Sequence, residues 1–279
     1  MAVVHTLPVL YRLNERLKEQ GERKVEIHRD MICDSLKEFF PEFTAEEIQE
    51  ELLSRGLFDP DEGATISETL MGLEDKKVWK IVQHELNHLK QLWNGPDIPI
   101  FIFPLTKHRP IVDGAKVKKN GVSYNNVLFL FVCEELEIVE LQALLAHEYH
   151  HICRLSYLDK SPQEIDLLDT LIIEGMAEFA VEELYGERSL SPWTKGYSQE
   201  ECSNLWIKYF ARAIHVKDVD NHFPFLYGNE VVGLPKWIGY CIGYRIVRSY
   251  IENGGTTDHL LLSRTPSYKI LEGSLFKGL

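Results

Sequence analysis

No run of about 18 apolar residues occurs in this chain, so nothing in it reads as a membrane-spanning helix. Positive charge is scarce. Against 43 Asp and Glu stand 30 Lys and Arg, a formal net charge of −13. That balance speaks against nucleic acid or an anionic membrane surface as the main partner. Cysteine is sparse and scattered: Cys33, Cys133, Cys153, Cys202 and Cys241 are odd in number and include no Cys-x-x-Cys pair. That pattern speaks against a disulfide framework, and the thiols read as reduced, mostly core residues of a cytoplasmic protein. The N-terminus lacks a basic stretch followed by an unbroken apolar core, since Pro8 and Arg12 interrupt it. No signal peptide is expected. Internal repeats are also missing. What remains is a globular composition, 44% hydrophobic and 26% charged over 279 residues, enough for one large domain or two closely packed ones.

The pattern His-Glu-x-x-His is present twice, at His84-Glu85-Leu86-Asn87-His88 and at His147-Glu148-Tyr149-His150-His151. On a helix the i, i+4 spacing stacks the two imidazoles on one face, where they supply two corners of a tetrahedral zinc site. The Glu after the first histidine then faces the open coordination position, where a base takes a proton from water. The flanks choose between the copies. Around the first, Trp79, Val82, Leu86, Leu89 and Trp93 form an apolar stripe that leaves His84 and His88 on the polar side. The second sits in a stretch, Leu141 to Leu155, that is apolar nearly all round and reads as a buried central helix. The metal site is therefore expected at 147–151, and the copy at 84–88 is expected to be a solvated helix face.

A catalytic zinc held by two imidazoles needs a third protein ligand and keeps its fourth position open. Leu171-Ile-Ile-Glu174-Gly-Met-Ala-Glu178-Phe offers two acidic candidates in a second apolar helix. Glu174, between Leu-Ile-Ile and Gly-Met-Ala, is poorly placed for solvent, and buried carboxylates are paired or bound to metal. Gly175 and Ala177 would leave room for close approach to the first helix. Glu178, one turn on, is the alternative ligand or an acceptor for the other nitrogen of a ligand histidine. The 22 residues between His151 and Glu174 suit a helical hairpin that returns the carboxylate to the histidines.

These residues resemble the YjaZ-type family of predicted zinc-dependent proteases, a gluzincin-like bacterial group. The likeness is carried by His-Glu-Tyr-His-His at 147–151, by Glu-Gly-Met-Ala-Glu at 174–178 and, less specifically, by Gly239-Tyr240-Cys-Ile-Gly243-Tyr244. It spans roughly residues 95–275 and implies one Zn2+ per chain, bound by His147, His151 and Glu174.

Three regions are expected along the chain. Residues 1–95 read as a helical region, with capping boxes at Thr44-Ala-Glu-Glu47 and Thr65-Ile-Ser-Glu68, ending at the break Asn94-Gly95-Pro96-Asp97. Residues 96–186 form the core with the two motif helices. In it, Ile98–Pro104 and Val127–Val132 read as strands, Asp113-Gly114 and Asn120-Gly121 as turns, and Ser161-Pro-Gln-Glu164 as a capping box opening the helix of Glu174. An edge strand in this sheet could pair with an extended peptide. Residues 187–279 form a C-terminal helical subdomain, rich in aromatics over 200–213 and 235–252. Tyr240 there is the candidate partner for an oxyanion, ahead of His215 and His222.

The expected fold is α+β and zincin-like, mostly helical with a small sheet before the motif helix. The expected activity is zinc-dependent hydrolysis of peptides or proteins in the cytoplasm, with Glu148 as general base and neither nucleic acid nor membrane as a partner. Two alternatives stay open. One is a regulatory module with a structural metal, closed by Glu178 or His150 as a fourth ligand. The other is a metal hydrolase acting on a non-peptide amide.

Overall fold

Helical periodicity fills the first 94 residues, and in the computed structural model, which describes residues 2–19, 23–109, 111–112 and 115–279, it becomes five helices. These are α1 (Leu7–Glu19), α2 (Lys24–Ile32), α3 (Ala45–Ser54), α4 (Ile66–Asp75) and α5 (Val78–Trp93). Strands β1 (Ile100–Pro104), β2 (Ile111–Val112), β3 (Ala115–Lys116), β4 (Lys119–Tyr124) and β5 (Val127–Val132) follow. The rest is helical: α6 (Ile138–Leu158), α7 (Leu167–Tyr185), α8 (Gln199–Leu205), α9 (Phe223–Tyr227), α10 (Ile238–Glu252), α11 (His259–Arg264) and α12 (Ser267–Gly273). The fold is α+β, mostly helical with a three-stranded sheet. Among the described residues no helix is long and apolar enough to cross a membrane.

The residues group into two compact units, 1–88 with 97–148 and 89–96 with 149–279.

In the first unit the sheet has the order β1-β5-β4. Every residue of Ile-Phe-Ile-Phe-Pro in β1 and Val-Leu-Phe-Leu-Phe-Val in β5 is buried, as continuous apolar runs require when both faces are covered. β1 and β5 are parallel, Ile100 opposite Leu128 and Pro104 opposite Val132. β4 is antiparallel to β5, Lys119 opposite Val132 and Tyr124 opposite Val127, through the two-residue loop Asn125-Asn126. Asn120-Gly121 is thus inside a strand and not a turn. Its polar composition, Lys-Asn-Gly-Val-Ser-Tyr, hides a strand that is only half-buried. The Asp113-Gly114 turn lies outside the described residues. The outer edge of β1 is bonded by the N-terminal segment, with Val4 N donating to Ile100 O at 2.9 Å. Among the described residues no strand pairs with the outer edge of β4.

The helix caps follow the sequence in part. Thr44 and Glu47 form the expected box at the start of α3. Thr65 does not cap α4, because its hydroxyl donates back to Glu62 O at 2.9 Å; the box in that neighbourhood is Asp59 with Glu62. Likewise Ser161 and Glu164 bond each other in a turn, while Asp166, accepting from Asp169 N, is the cap that starts α7.

α7 and α10 organise the second unit. A Cβ on Gly175 would lie 2.1 Å from Gly243 O, and one on Gly243 would lie 2.2 Å from Leu171 O. The two helices touch backbone to backbone at this glycine pair. Gly175 therefore serves the contact with α10, not the approach to α6 that its sequence position suggested. Leu171, Ile172, Met176, Trp206, Phe210, Ile242 and Ile246 close the surrounding core. All five cysteines are free and buried.

Two expectations arise from this packing. Gly243→Ala should lower stability by about 1–3 kcal/mol or more, since the added methyl meets backbone that cannot rotate away. An unchanged urea midpoint would show that the helices can part at no cost. In the first unit, His28 donates from Nε2 to Phe58 O at 3.1 Å and accepts at Nδ1 from Gln49 Nε2 at 2.9 Å, which fixes the neutral ring. Burial pushes its pKa from 6.5 down to about 4. As pH falls the unfolded chain takes the proton first, so this stability is complete above about 6.5 and is lost progressively towards about 4. The loss should total on the order of 3 kcal/mol. Urea midpoints between pH 7.5 and 4.5 should fall more steeply for wild type than for His28→Gln; parallel slopes would refute the assignment.

Candidate metal centre

α6 is buried along most of its length, with Leu145, Ala146, Tyr149 and Ile152 at 0–1% exposure. A helix so enclosed presents few polar groups, and each must be matched. Tyr149 donates to Pro96 O at 2.8 Å and stacks on Trp93 with ring centroids 6.1 Å apart. Arg154, fully buried, donates to Ser263 O at 2.5 Å, Thr265 O at 2.9 Å and Ser267 Oγ at 3.0 Å. Burial pulls its pKa down to about 10. Asp169, at the start of α7, accepts from Lys160 and Ser267, both at 2.5 Å. These bonds tie the end of α6, the start of α7 and the segment 263–267 together, which fixes the hairpin carrying the motif residues.

One turn apart on α6, His147 and His151 meet Glu174 of α7. A ligand atom from each lies within 4.8 Å of the other two. His151 Nε2 and Glu174 Oε2 are 3.6 Å apart, with their side chains 12% and 17% exposed. Two ligands at about 2.0–2.1 Å from a tetrahedral ion sit about 3.4 Å apart, so this pair already has the spacing of one tetrahedral edge. Two imidazoles and a carboxylate are a nitrogen and oxygen donor set that zinc accepts, and partial exposure leaves the group reachable. The residues fit the ion.

Glu148 is not among these three donors. It is 8% exposed and packs against β4, where Ser123 Oγ lies 2.6 Å from its Oε2 and 2.9 Å from its backbone O. A Cβ on Gly121 would lie 2.4 Å from Glu148 Cγ and 2.7 Å from Oε1. Sequence reading missed both residues. The one signal available was the Gly inside a strand-length polar stretch, which marks close approach by another group.

The other candidates have different surroundings. Glu178 is 1% exposed and accepts from Ser191 N at 3.1 Å and Ser191 Oγ at 2.5 Å. His150 is fully buried, its ring edge-on to Trp93 at 5.1 Å. Among the described residues the potential ligand group contains neither. Tyr240, 9% exposed, packs its ring against Trp193, Tyr227 and Trp237. Its neighbour Tyr244 donates to Glu182 Oε2 at 2.7 Å, and Arg248 pairs with the same carboxylate. His222 donates to Val216 O at 2.8 Å and accepts from Thr170, a structural arrangement. In the first motif copy His84 and His88 are exposed, and His88 Nδ1 lies 3.0 Å from the buried Glu85, which also receives Gln142.

Residues 78–272 match the family model described as Predicted Zn-dependent protease (DUF2268). The chain is 35% identical over 196 residues to the uncharacterized protein YjaZ of Bacillus subtilis (strain 168), covering 69% of this chain and 74% of that protein. It is 29% identical over 120 residues to the uncharacterized protein YjfC of the same organism, covering 40% of each. No solved structure matches. With a family model spanning both motif helices and a relative covered over most of its length, the chain belongs to the YjaZ-type family of predicted zinc-dependent proteases.

Proposed function

We propose that the protein is a zinc-dependent metallopeptidase of zincin-like fold, with His147, His151 and Glu174 as the metal ligands and Glu148 as general base. The observation that carries this reading is the convergence of two imidazoles and one carboxylate on a common point, with a further carboxylate one residue from the first imidazole. Three protein ligands leave one coordination position for chemistry, whereas a structural site is closed by four.

Bound zinc supplies Lewis acidity, which activates water and polarises a carbonyl at neutral pH. The chain's own residues do the rest. Glu148 accepts the proton of the attacking water and returns it to the leaving amine, the two-step duty of a general base and acid. Glu174 adds one negative charge to two neutral ligands and balances half the charge of the ion. The outer edge of β4, beside Glu148, suits an extended peptide that pairs through its backbone, which favours peptides over small amides. Tyr240 is the proposed hydrogen-bond donor to the oxyanion. Free, buried cysteines support a cytoplasmic protein, and a net charge of −13 speaks against nucleic acid or an anionic membrane surface as its main partner.

Metal analysis separates the ligands. Glu174→Gln should release most of the zinc, while Glu178→Gln, which disturbs Ser191, should weaken binding by no more than about 10–100-fold. His84→Ala with His88→Ala should keep a full equivalent of zinc. Loss of the metal in that double variant, or a reversed order of the two glutamates, would move the site.

Cleavage of a broad peptide pool tests the chemistry. Glu148→Gln keeps shape and removes the basic oxygen, so zinc content and thermal midpoint should hold while the rate falls by at least ~10²–10⁴-fold. An active Glu148→Gln protein, or a zinc-loaded wild type that cleaves nothing in the pool, would refute the enzyme reading.

A further inference from the structure

Beside the motif helix, β4 presents alternate residues to one side, and three of them meet α6 along a single row. Lys119 Nζ donates to Glu140 O at 3.0 Å, Gly121 faces the Glu148 side chain, and Ser123 reaches the Glu148 carboxylate. Residues 140 and 148 are two helical turns apart, so the strand runs along the helix and meets the base at its far end.

From this geometry we infer that β4 positions the Glu148 carboxylate, Ser123 by anchoring one oxygen and Gly121 by leaving its Cβ volume to the other. The inference rests on Glu148 being the general base of the reading above. Ser123 has one hydroxyl hydrogen and two acceptors on the same residue. The backbone O, at 2.9 Å, lies in a helix and already has its helical donor. The carboxylate oxygen, at 2.6 Å, is nearer and charged, and charge-assisted bonds of this kind are short and strong. Oε2 is therefore the held oxygen, and Oε1 is the one that handles the proton.

Gly121 acts on the same group from the other side. With a Cβ in place, the Glu148 Cγ at 2.4 Å and Oε1 at 2.7 Å would have to retreat to ordinary contact. Ordinary contact is about 3.5 Å, so the retreat is about 1 Å. The colliding atoms, Cγ, Cδ and Oε1, belong to one side chain and not to backbone, so the methyl is absorbed by a rotation of Glu148 and not by a shift of the strand. Catalysis does not tolerate that rotation, because a displacement of about 1 Å at the reacting geometry can cost as much as 10²-fold. Ser123 and Gly121 are positioning residues, since neither has to touch substrate.

The test uses the full-length, zinc-loaded protein with Ser123→Ala, Ser123→Thr and Gly121→Ala. Ser123→Ala and Gly121→Ala should each lower kcat by roughly 10-fold or more with KM within about 2-fold. Zinc content and thermal midpoint should match wild type in both. Ser123→Thr, which keeps the hydroxyl, should recover most of the rate. Crystal structures of wild type and Gly121→Ala should show the carboxylate displaced by about 1 Å, a readout independent of activity. An active wild type whose Ala variants keep full kcat would overturn the inference alone. So would a lower thermal midpoint that accounts for the lost rate, or an unmoved carboxylate in Gly121→Ala. A zinc-loaded wild type without peptidase activity would overturn the enzyme reading, and with it the catalytic meaning of this contact.

Discussion

A carboxylate taken out of water has to be matched, and in this protein that constraint is tightest on α7. The helix is apolar nearly all round, yet Glu174, Glu178 and Glu182 recur on one of its faces at four-residue intervals, with Glu183 beside them. An unpaired charge in such surroundings costs several kcal/mol, so each position of that row needs a specific partner. Glu178 takes the backbone N–H and hydroxyl of Ser191 and Glu182 takes Tyr244 and Arg248, while Glu183, exposed to solvent, lies against His259 without needing the match. Glu174 is the member of the row that faces imidazoles, with His151 3.6 Å away. Matching the others to hydroxyls and cations leaves the metal-compatible carboxylate in one place.

Glu174 can be held there because α7 itself cannot slide. The backbone contact of Gly175 with Gly243 sets both the separation and the register of α7 against α10. A helix pair spaced by larger side chains could shift by a fraction of a turn under a change of rotamers. One spaced by peptide groups has no such freedom, since neither backbone can deform. The third, weaker sequence motif, Gly239 to Tyr244, gains its physical reason here. Its second glycine is the counterpart of the glycine beside Glu174, so two motifs separated by more than sixty residues describe one contact.

Much of the candidate site was legible in the chain because its signals are periodic. The choice of 147–151 over 84–88 followed from the apolar surroundings of one copy and the polar side of the other, and the exposed His84 and His88 agree. Glu174 stood out by charge in an apolar run. What escaped reading lacked such a signal. Lys-Asn-Gly-Val-Ser-Tyr has neither β-branched density nor alternation, and its Asn-Gly dipeptide imitates a hairpin turn. The Thr65 and Ser161 patterns fit capping boxes, but each side chain found a nearer local partner and the helix began elsewhere. Gly175 was recognisable as a close approach, and only the packing of α10 identified what approaches.

The weakness of β4 as a strand follows from what lies beside it. Glycine inside a strand forfeits side-chain packing and backbone order, at a cost near 0.5–1 kcal/mol relative to alanine. Serine and asparagine add little in return. The strand persists because β5, buried at all six positions, supplies a ladder that needs no favourable propensity from its partner. Stability is thus concentrated in β1 and β5, where apolar burial is complete, and the strand touching Glu148 is free to be polar and small. A better strand former at position 121 would strengthen the sheet and occupy the volume that the carboxylate now fills. Local stability and the placement of Glu148 compete for the same few cubic ångströms, and the residue present is the one that yields them to Glu148.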